Sequence, residues 1–273
     1  MQREKKIKTE IFNDNFQNRK KYNIPKAQLV IADIPYNVGN NAFASNPSWY
    51  EGGDNKNGES ALAGKQFFHS DNNFNLVEYM HFCNKLLIKE PKERNKAPAM
   101  IIFCAYQQMH MLAEVGKKYG FKNSYPLFFI KKSSAQALKA NMRILGATEH
   151  AVVLYRDKLP KFNNKWHEEM YGKKMILNWQ EWERDGKEVE KLHPTQKPVK
   201  VLEKLIRTFT DEGDIVIDPV AGSGSTLVAA MNLNRHSYGF EIHRPFYEKA
   251  KSWIERVKEE QGQQANIFDF IER

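Results

Sequence analysis

One stretch constrains this chain more than any other: Asp218-Pro219-Val220-Ala221-Gly222-Ser223-Gly224-Ser225-Thr226. An apolar run, Ile215-Val216-Ile217, precedes it, and Leu227-Val228-Ala229-Ala230-Met231 follows. That order predicts a strand, a glycine turn and a helix. Gly222 and Gly224 carry no Cβ, so the backbone can turn tightly there and a ligand can approach it. Asp218 would close the strand at the edge where open α/β sheets bind ligands. A dinucleotide turn places a third glycine where Leu227 stands, and a P-loop ends in Gly-Lys-Ser/Thr, which is absent here. The turn points to a nucleoside-containing ligand, against the plainer alternative of a tight strand-to-helix connection.

The rest of the chain fits an alternating α/β order. Strands are predicted at Ile7–Asn13, Leu29–Ala32, Met100–Cys104, Leu127–Ile130, Ala151–Tyr155 and Tyr238–Glu241. Their continuous apolar character suits strands buried on both faces. A helix is expected with Val77, Met80, Asn84 and Leu87 on one face and Asn73 as N-cap, and another over 107–119 that stops at Gly120. Pro198 should open a helix with Val201, Leu202, Leu205, Ile206 and Phe209 inward, and Phe246, Ala250, Trp253 and Val257 mark a final amphipathic helix. The fold class is therefore α/β, a doubly wound and mostly parallel sheet. Four segments are expected: a first half over 1–155, an insertion over 156–192, a second half of the same domain over 193–260 and a tail over 261–273. The Asn-, Gly- and Ser-rich loop at 37–71 reads as mobile or functional.

Two further strand ends carry chemistry. Glu241 lies 23 positions after Asp218, where an acid can accept hydrogen bonds from ribose hydroxyls. Asp33-Ile34-Pro35-Tyr36 aims a carboxylate and the Ile34 carbonyl past the sheet edge, rigidified by Pro35 and flanked by an aromatic ring. Such a set can hold an exocyclic amino group by two hydrogen bonds while a base stacks on Tyr36.

Charge bears on partners. The chain carries a net +9, and residues 131–174 hold ten Lys and Arg against four Asp and Glu, a net of +6. Interleaved aromatics, Phe162, Trp166, Tyr171 and Trp179, suit a polyanion with stackable bases. No apolar run approaches the ~18 residues of a membrane span, and the charged N-terminus lacks a signal-peptide core. Cys83 and Cys104 lack CxxC spacing, so a disulfide framework or zinc site is not expected and a reducing, cytoplasmic location fits.

Together these residues resemble the S-adenosylmethionine-dependent DNA amino-methyltransferases, which methylate adenine N6 or cytosine N4. Asp33-Ile34-Pro35-Tyr36 resembles their D-P-P-Y motif, and Asp218–Thr226 their D-P-F-x-G-S-G-T-T motif. His193-Pro194-Thr195-Gln196-Lys197-Pro198 matches their H-P-T-x-K-P element, and Asn13-Asp14 a short acidic motif. The order, catalytic motif first, is that of the permuted β group. Ile34 departs from the family's first proline and Val220 from its aromatic.

The resemblance implies a Rossmann-like methyltransferase fold, S-adenosylmethionine as cofactor and no metal. It makes Asp33, Ile34, Pro35 and Tyr36 catalytic. It gives Asp14, Asp33, His193, Thr195, Lys197, Asp218, Pro219, Ala221, Gly222, Ser223, Gly224, Thr226 and Glu241 to the cofactor. The basic segment becomes a target-recognition region for double-stranded DNA, with Lys131, Lys132, Lys139, Arg143, Arg156, Lys158, Lys161 and Lys165 on phosphates. The loop at 37–71 would order over a flipped base or the DNA groove. The opening Asp favours adenine N6 over cytosine N4. A silent DNA-binding module and an NAD-dependent oxidoreductase are the other classes, separable by whether S-adenosylmethionine or NAD raises the melting temperature. Gln264-Ala265-Asn266-Ile267-Phe268-Asp269-Phe270 resembles a sliding-clamp-binding peptide, and a homodimer is the remaining partner considered.

Overall fold

The structure, a computed structural model, describes residues 7–36, 74–132, 137–139, 144–187, 189–193 and 195–271; side chains at 137–139, 144–145 and 264–271 are outside that set. The loop expected at 37–71 also lies outside the described residues, as does Arg143.

Among the described residues, ten strands and six α-helices follow one another. They are β1 (Thr9–Phe12), β2 (Leu29–Asp33), α1 (Leu76–Cys83), β3 (Ala99–Cys104), α2 (Tyr106–Lys118), β4 (Asn123–Ile130), β5 (Ala137–Lys139), β6 (Ile144–Leu145), β7 (Thr148–Tyr155), α3 (Lys165–Tyr171), β8 (Trp179–Glu181), α4 (Val199–Phe209), β9 (Ile215–Asp218), α5 (Ser225–Asn232), β10 (His236–Phe240) and α6 (Arg244–Ile271). Eight strands form one sheet in the order β1-β10-β9-β2-β3-β7-β4-β8, while β5 and β6 pair as a small hairpin. Within the large sheet only β7 runs against its neighbours.

Side-chain alternation sorts the strands' residues onto two apolar layers. Leu29, Ile31, Ile101, Phe103, Val153 and Val216 pack under α4, α5 and the first turns of α6. Val30, Ala32, Met100, Ile102, Val152 and Ile217 pack under α1 and α2. The expected inward face of α4 is buried throughout, each large side chain contributing roughly 1.5–3 kcal/mol. Gly239 in β10 has a packing reason: a Cβ there would meet Leu227 Cδ1 at 2.8 Å, so its absence lets α5 lie close on the sheet.

Three local expectations are corrected. The N-cap of α1 is Asn75, not Asn73, and Val77 faces solvent while Leu76, Tyr79, Met80 and Cys83 face inward. The segment 156–192 is not a self-contained insertion: it contributes α3, whose Trp166 is buried, and β8, which extends the main sheet beside β4. Residues 261–271, expected as a tail, continue α6. The clamp-like peptide is therefore helical in its backbone.

The strand directions decide what can meet. β2 and β9 lie side by side, with Val30 opposite Ile217, so Asp33 and Asp218 project from the same carboxyl edge. From that crevice the chain winds outward in both directions, the switch point where open α/β sheets take ligands.

Candidate active site

The two sides of the crevice are built differently. On the β1–β10–β9 side, Glu241 follows the end of β10 and its carboxylate is held by main-chain amides. Gly222 N donates to Oε2 at 2.9 Å and His243 N to Oε1 at 2.7 Å. The turn is pinned further by Ala221 N on Phe240 O and by Gly224 N on Ala221 O. Both turn glycines have positive φ, +53° at Gly222 and +82° at Gly224, but for different surroundings. A Cβ at Gly224 would meet Ala250 Cβ at 3.2 Å, so this glycine serves the packing of α6. A Cβ at Gly222 would meet nothing within 4 Å, so this is the face of the turn that a ligand can approach.

Asp218 is buried below the turn, where Val220 N donates to Oδ1 at 3.0 Å. Burial pushes its carboxyl up to about 7 against the opposing hydrogen bond from Thr226. Pro219 is buried beside it, and the Ser223 and Ser225 hydroxyls bond each other at 2.7 Å. Asp14 lies past the end of β1, next to β10: Asn13 Nδ2 donates to Glu241 O at 2.8 Å. Hydrogen bonds from Asn18, Tyr22 and Asn15 N hold the Asp14 carboxyl down at about 2.

On the β2–β3–β7 side the charges are met by side chains. Lys197 Nζ contacts Asp33 Oδ2 at 2.6 Å and stands 3.9 Å from Glu149 Oε2. Its ammonium is almost out of water, facing the rings of Tyr36, Phe103 and Trp182 at 5.4–5.9 Å. Tyr36 donates its hydroxyl to Glu149 Oε2 at 3.1 Å, and Lys131 Nζ reaches Glu149 Oε1 at 2.5 Å. Burial, offset by Lys197, raises the Asp33 carboxyl; the two lysines outweigh burial at Glu149 and lower it. Asp33 Oδ1, itself out of water, has no hydrogen-bond partner among the described residues. The turn is fixed from behind, with Ile34 N donating to Phe103 O and Gln108 Nε2 to Pro35 O at 3.0 Å.

The H-P-T-x-K-P element bridges both sides. His193 packs on Phe246 at 4.3 Å near the start of α6 and accepts from Thr195. Burial, with Lys197 next in weight, brings the imidazole down to about 4, so it is neutral at neutral pH. Lys197, expected at the cofactor, places its ammonium on Asp33, which the resemblance gives to the cofactor as well. Glu149 and Gln108 were not singled out in the sequence, because nothing near either one marks it.

The basic residues divide. Lys131 and Lys132 follow β4 at the carboxyl edge, and the hairpin containing Lys139 comes next in the chain. Arg156, Lys158, Lys161 and Lys165 do not join them. Reversal of β7 sends its end to the amino edge, where Tyr155 pairs with Asn123 and Lys161 N bonds Ala97 O. Their charges are also largely committed within the protein. Arg156 donates to the Ile88 and Asn84 carbonyls, Lys158 to Pro91 O, and Lys161 pairs with Asp214 at 2.5 Å and Asp211 at 2.8 Å. Lys165 opens α3 beside the far end of α4, where Asn163 N bonds Thr208 O.

This geometry agrees with what the chain is similar to. The profile of the N6/N4 methyltransferase family, described as a DNA methylase, matches residues 27–252. The chain belongs to that family. The Streptococcus pneumoniae type II methyltransferase M2.DpnII is 26% identical over 263 residues, covering 91% of this chain and 90% of that one. Among solved structures, M1.HpyAVI bound to its cofactor SAM superposes with a TM-score of 0.60 at 23% identity, covering 89% of this chain and 98% of that one. The cytosine-N4-specific PvuII DNA methyltransferase gives 0.61 at 16% identity, covering 89% and 86%. These two share the Rossmann-like fold. The protein is thus a DNA methyltransferase that uses S-adenosylmethionine, and its glycine turn fits that cofactor: the Gly222 face is open and Glu241 stands beside it. No helix among the described residues is long and apolar enough to cross a membrane.

Proposed function

We propose that this methylase transfers a methyl group to the N6 amino group of adenine within a specific sequence of double-stranded DNA, with the target base flipped out of the helix. The observation that carries the reading is the unpartnered, buried Asp33 Oδ1 at the end of β2, one strand from the glycine turn. A buried carboxylate oxygen without a donor is costly unless a substrate supplies one. An exocyclic amine supplies two hydrogens, one for Asp33 Oδ1 and one for the Ile34 carbonyl. Accepting them favours a pyramidal nitrogen whose lone pair points out of the ring plane.

S-adenosylmethionine supplies an electrophilic methyl group carried on a sulfonium. Positive charge grows on the amine as the new bond forms, so acceptors already fixed in place favour the transition state over the ground state. The amine then sheds one proton, for which Asp33 Oδ1 is the adjacent base. Tyr36, held by its hydroxyl, offers a ring face on which a flipped base can stack. Asp14, Glu241 and the turn from Asp218 to Thr226 would hold the nucleoside part of the cofactor. Lys132 and the hairpin that carries Lys139 are the phosphate contacts we retain, because Lys131 is committed to Glu149. The Asp that opens the motif favours adenine over cytosine.

The test is nucleoside mass spectrometry of plasmid DNA from a methylation-deficient host, treated with the enzyme or with Asp33→Ala. N6-methyladenine that falls on the order of 10³-fold in the variant is expected, with S-adenosylmethionine binding retained. N4-methylcytosine would overturn the assignment of the base, and equal product from both proteins would overturn the role of Asp33.

A further inference from the structure

The charged chain behind Asp33 assigns a role to a residue that no motif contains. Reading inward from the rim, Lys131, Glu149, Lys197 and Asp33 alternate in sign, with contacts of 2.5, 3.9 and 2.6 Å. All four are mostly buried: side-chain exposure is 16% for Lys131 and Glu149, 8% for Lys197 and 25% for Asp33. We propose that Glu149, clamped by Lys131, is a positioning residue for methyl transfer: it anchors Tyr36 by its hydroxyl and shares Lys197 with Asp33, leaving Asp33 Oδ1 to the target amine. The role rests on the amine-transfer reading above and extends it to β7 and to the stem of the hairpin.

The argument is one of geometry and charge balance. A lysine facing one buried carboxylate can engage both of its oxygens, yet Lys197 bonds only Oδ2. The second pull on the ammonium comes from Glu149 Oε2, 3.9 Å away, with Tyr36 OH close to both, 3.4 Å from Lys197 Nζ and 3.1 Å from Glu149 Oε2. Glu149 would in turn add a negative charge beside Asp33, and Lys131 offsets it. The four groups sum to zero, which keeps a buried cluster tolerable. Lys131 N also bonds Ala147 O, so the residue that clamps Glu149 sits at the foot of the β5–β6 hairpin.

The charged and titratable groups facing Glu149 are Lys131 from the end of β4, Lys197 ahead of α4, Asp33 and Tyr36 from the end of β2, and its neighbour His150 on β7; Cys104 at the end of β3 faces Asp33 and Lys197. Removing one of the two outer charges gives effects of opposite sign. Glu149→Gln leaves a net positive cluster, which favours the ionised form of Asp33 and closes Lys197 onto it. Lys131→Met leaves a net negative cluster, which disfavours that ionised form.

The experiment measures kcat against pH on plasmid DNA for the full chain, Glu149→Gln, Lys131→Met and the double variant. Difference infrared titration of the protonated carboxyl in the free proteins accompanies it, with Asp33→Asn as the blank. We expect the acid limb and the Asp33 titration to move down by about one pH unit in Glu149→Gln and up by about one in Lys131→Met. The double variant should return to near the parent position. In Glu149→Gln, kcat should also fall on the order of 10²-fold. Single variants that shift the titration in the same direction, or lose activity without shifting it, would overturn the proposal. Absence of methylated base with the parent enzyme would sink the amine-transfer reading instead, and the infrared titration would still test the charge network.

Discussion

On the β1–β10–β9 side of the crevice the carboxylates of Asp14, Asp218 and Glu241 each accept at least one main-chain N–H from a residue within twenty positions. On the β2–β3–β7 side Asp33 and Glu149 are met by the ammonium groups of Lys197 and Lys131, drawn from as far as 164 positions away. Amide donors are fixed by the turn that carries them, so the first side can be ready for a ligand before it arrives. Charged side chains answer each other across elements, and a change in one is felt at the next. The first arrangement suits holding a cofactor; the second, under the role proposed for Asp33, suits tuning a reacting carboxylate.

The largest effect should come from breaking the charged side at its centre. Lys197→Met leaves Asp33 with burial and no cation. Its folded pKa, already raised, climbs further above the unfolded value, so stability is lost above about pH 4 and the active, ionised form appears only at higher pH. We expect about 3–5 kcal/mol of lost stability by denaturant unfolding at neutral pH, and an acid limb displaced upward. A variant with unchanged stability and an unchanged limb would erase the contrast between the two sides.

A smaller and separable effect should follow on the amide side. Glu241→Gln keeps one oxygen acceptor but turns an NH₂ toward one of its two amide donors. Calorimetry should show S-adenosylmethionine binding weakened roughly 10- to 100-fold, the loss of about 1.4–3 kcal/mol. At saturating cofactor kcat should change by less than about 3-fold, because the interaction lost serves binding rather than the transition state. A kcat loss as large as that of Lys197→Met would show that the two sides are not separable.

The smallest effect concerns Asp218, whose carboxyl is pushed up to about 7 by burial. Between about pH 4 and pH 7 the unfolded chain has lost this proton and the folded one has kept it. Asp218 therefore makes the protein less stable as pH rises through that window and adds no further slope above it. Asp218→Asn should flatten the decline and raise the melting temperature at pH 8 by a few degrees, roughly 2–4 °C for each kcal/mol recovered. An unchanged pH dependence of melting would place the carboxyl's proton elsewhere.

The same division explains what could be read in advance. The turn at Asp218–Thr226, the acid at Glu241 and the strand end at Asp33 are local signals, and each lies where its neighbours in sequence imply. Lys197 was visible as part of a motif, but its partner was not, since pairing with Asp33 needs the register of β2 and β9 with the loop before α4. Gln108 and Glu149 carry no local mark, and reach the site 73 positions from Pro35 and 113 from Tyr36. The placement of Arg156, Lys158 and Lys161 was hidden for a related reason. Counting charge along the chain ignores strand direction, and one reversed strand carries them to the opposite rim.

That reversal also bears on how such enzymes diversify. Because β7 descends while β4 ascends, the connection between them leaves and rejoins the sheet at the catalytic rim, with Lys131 N bonded to Ala147 O at its neck. A cassette grafted there can change length and composition with its two joints held in register. If that connection contacts DNA as proposed, its sequence preference could change without disturbing the site, provided the residues at the joints, Lys131 and Glu149, stay with the scaffold rather than with the cassette.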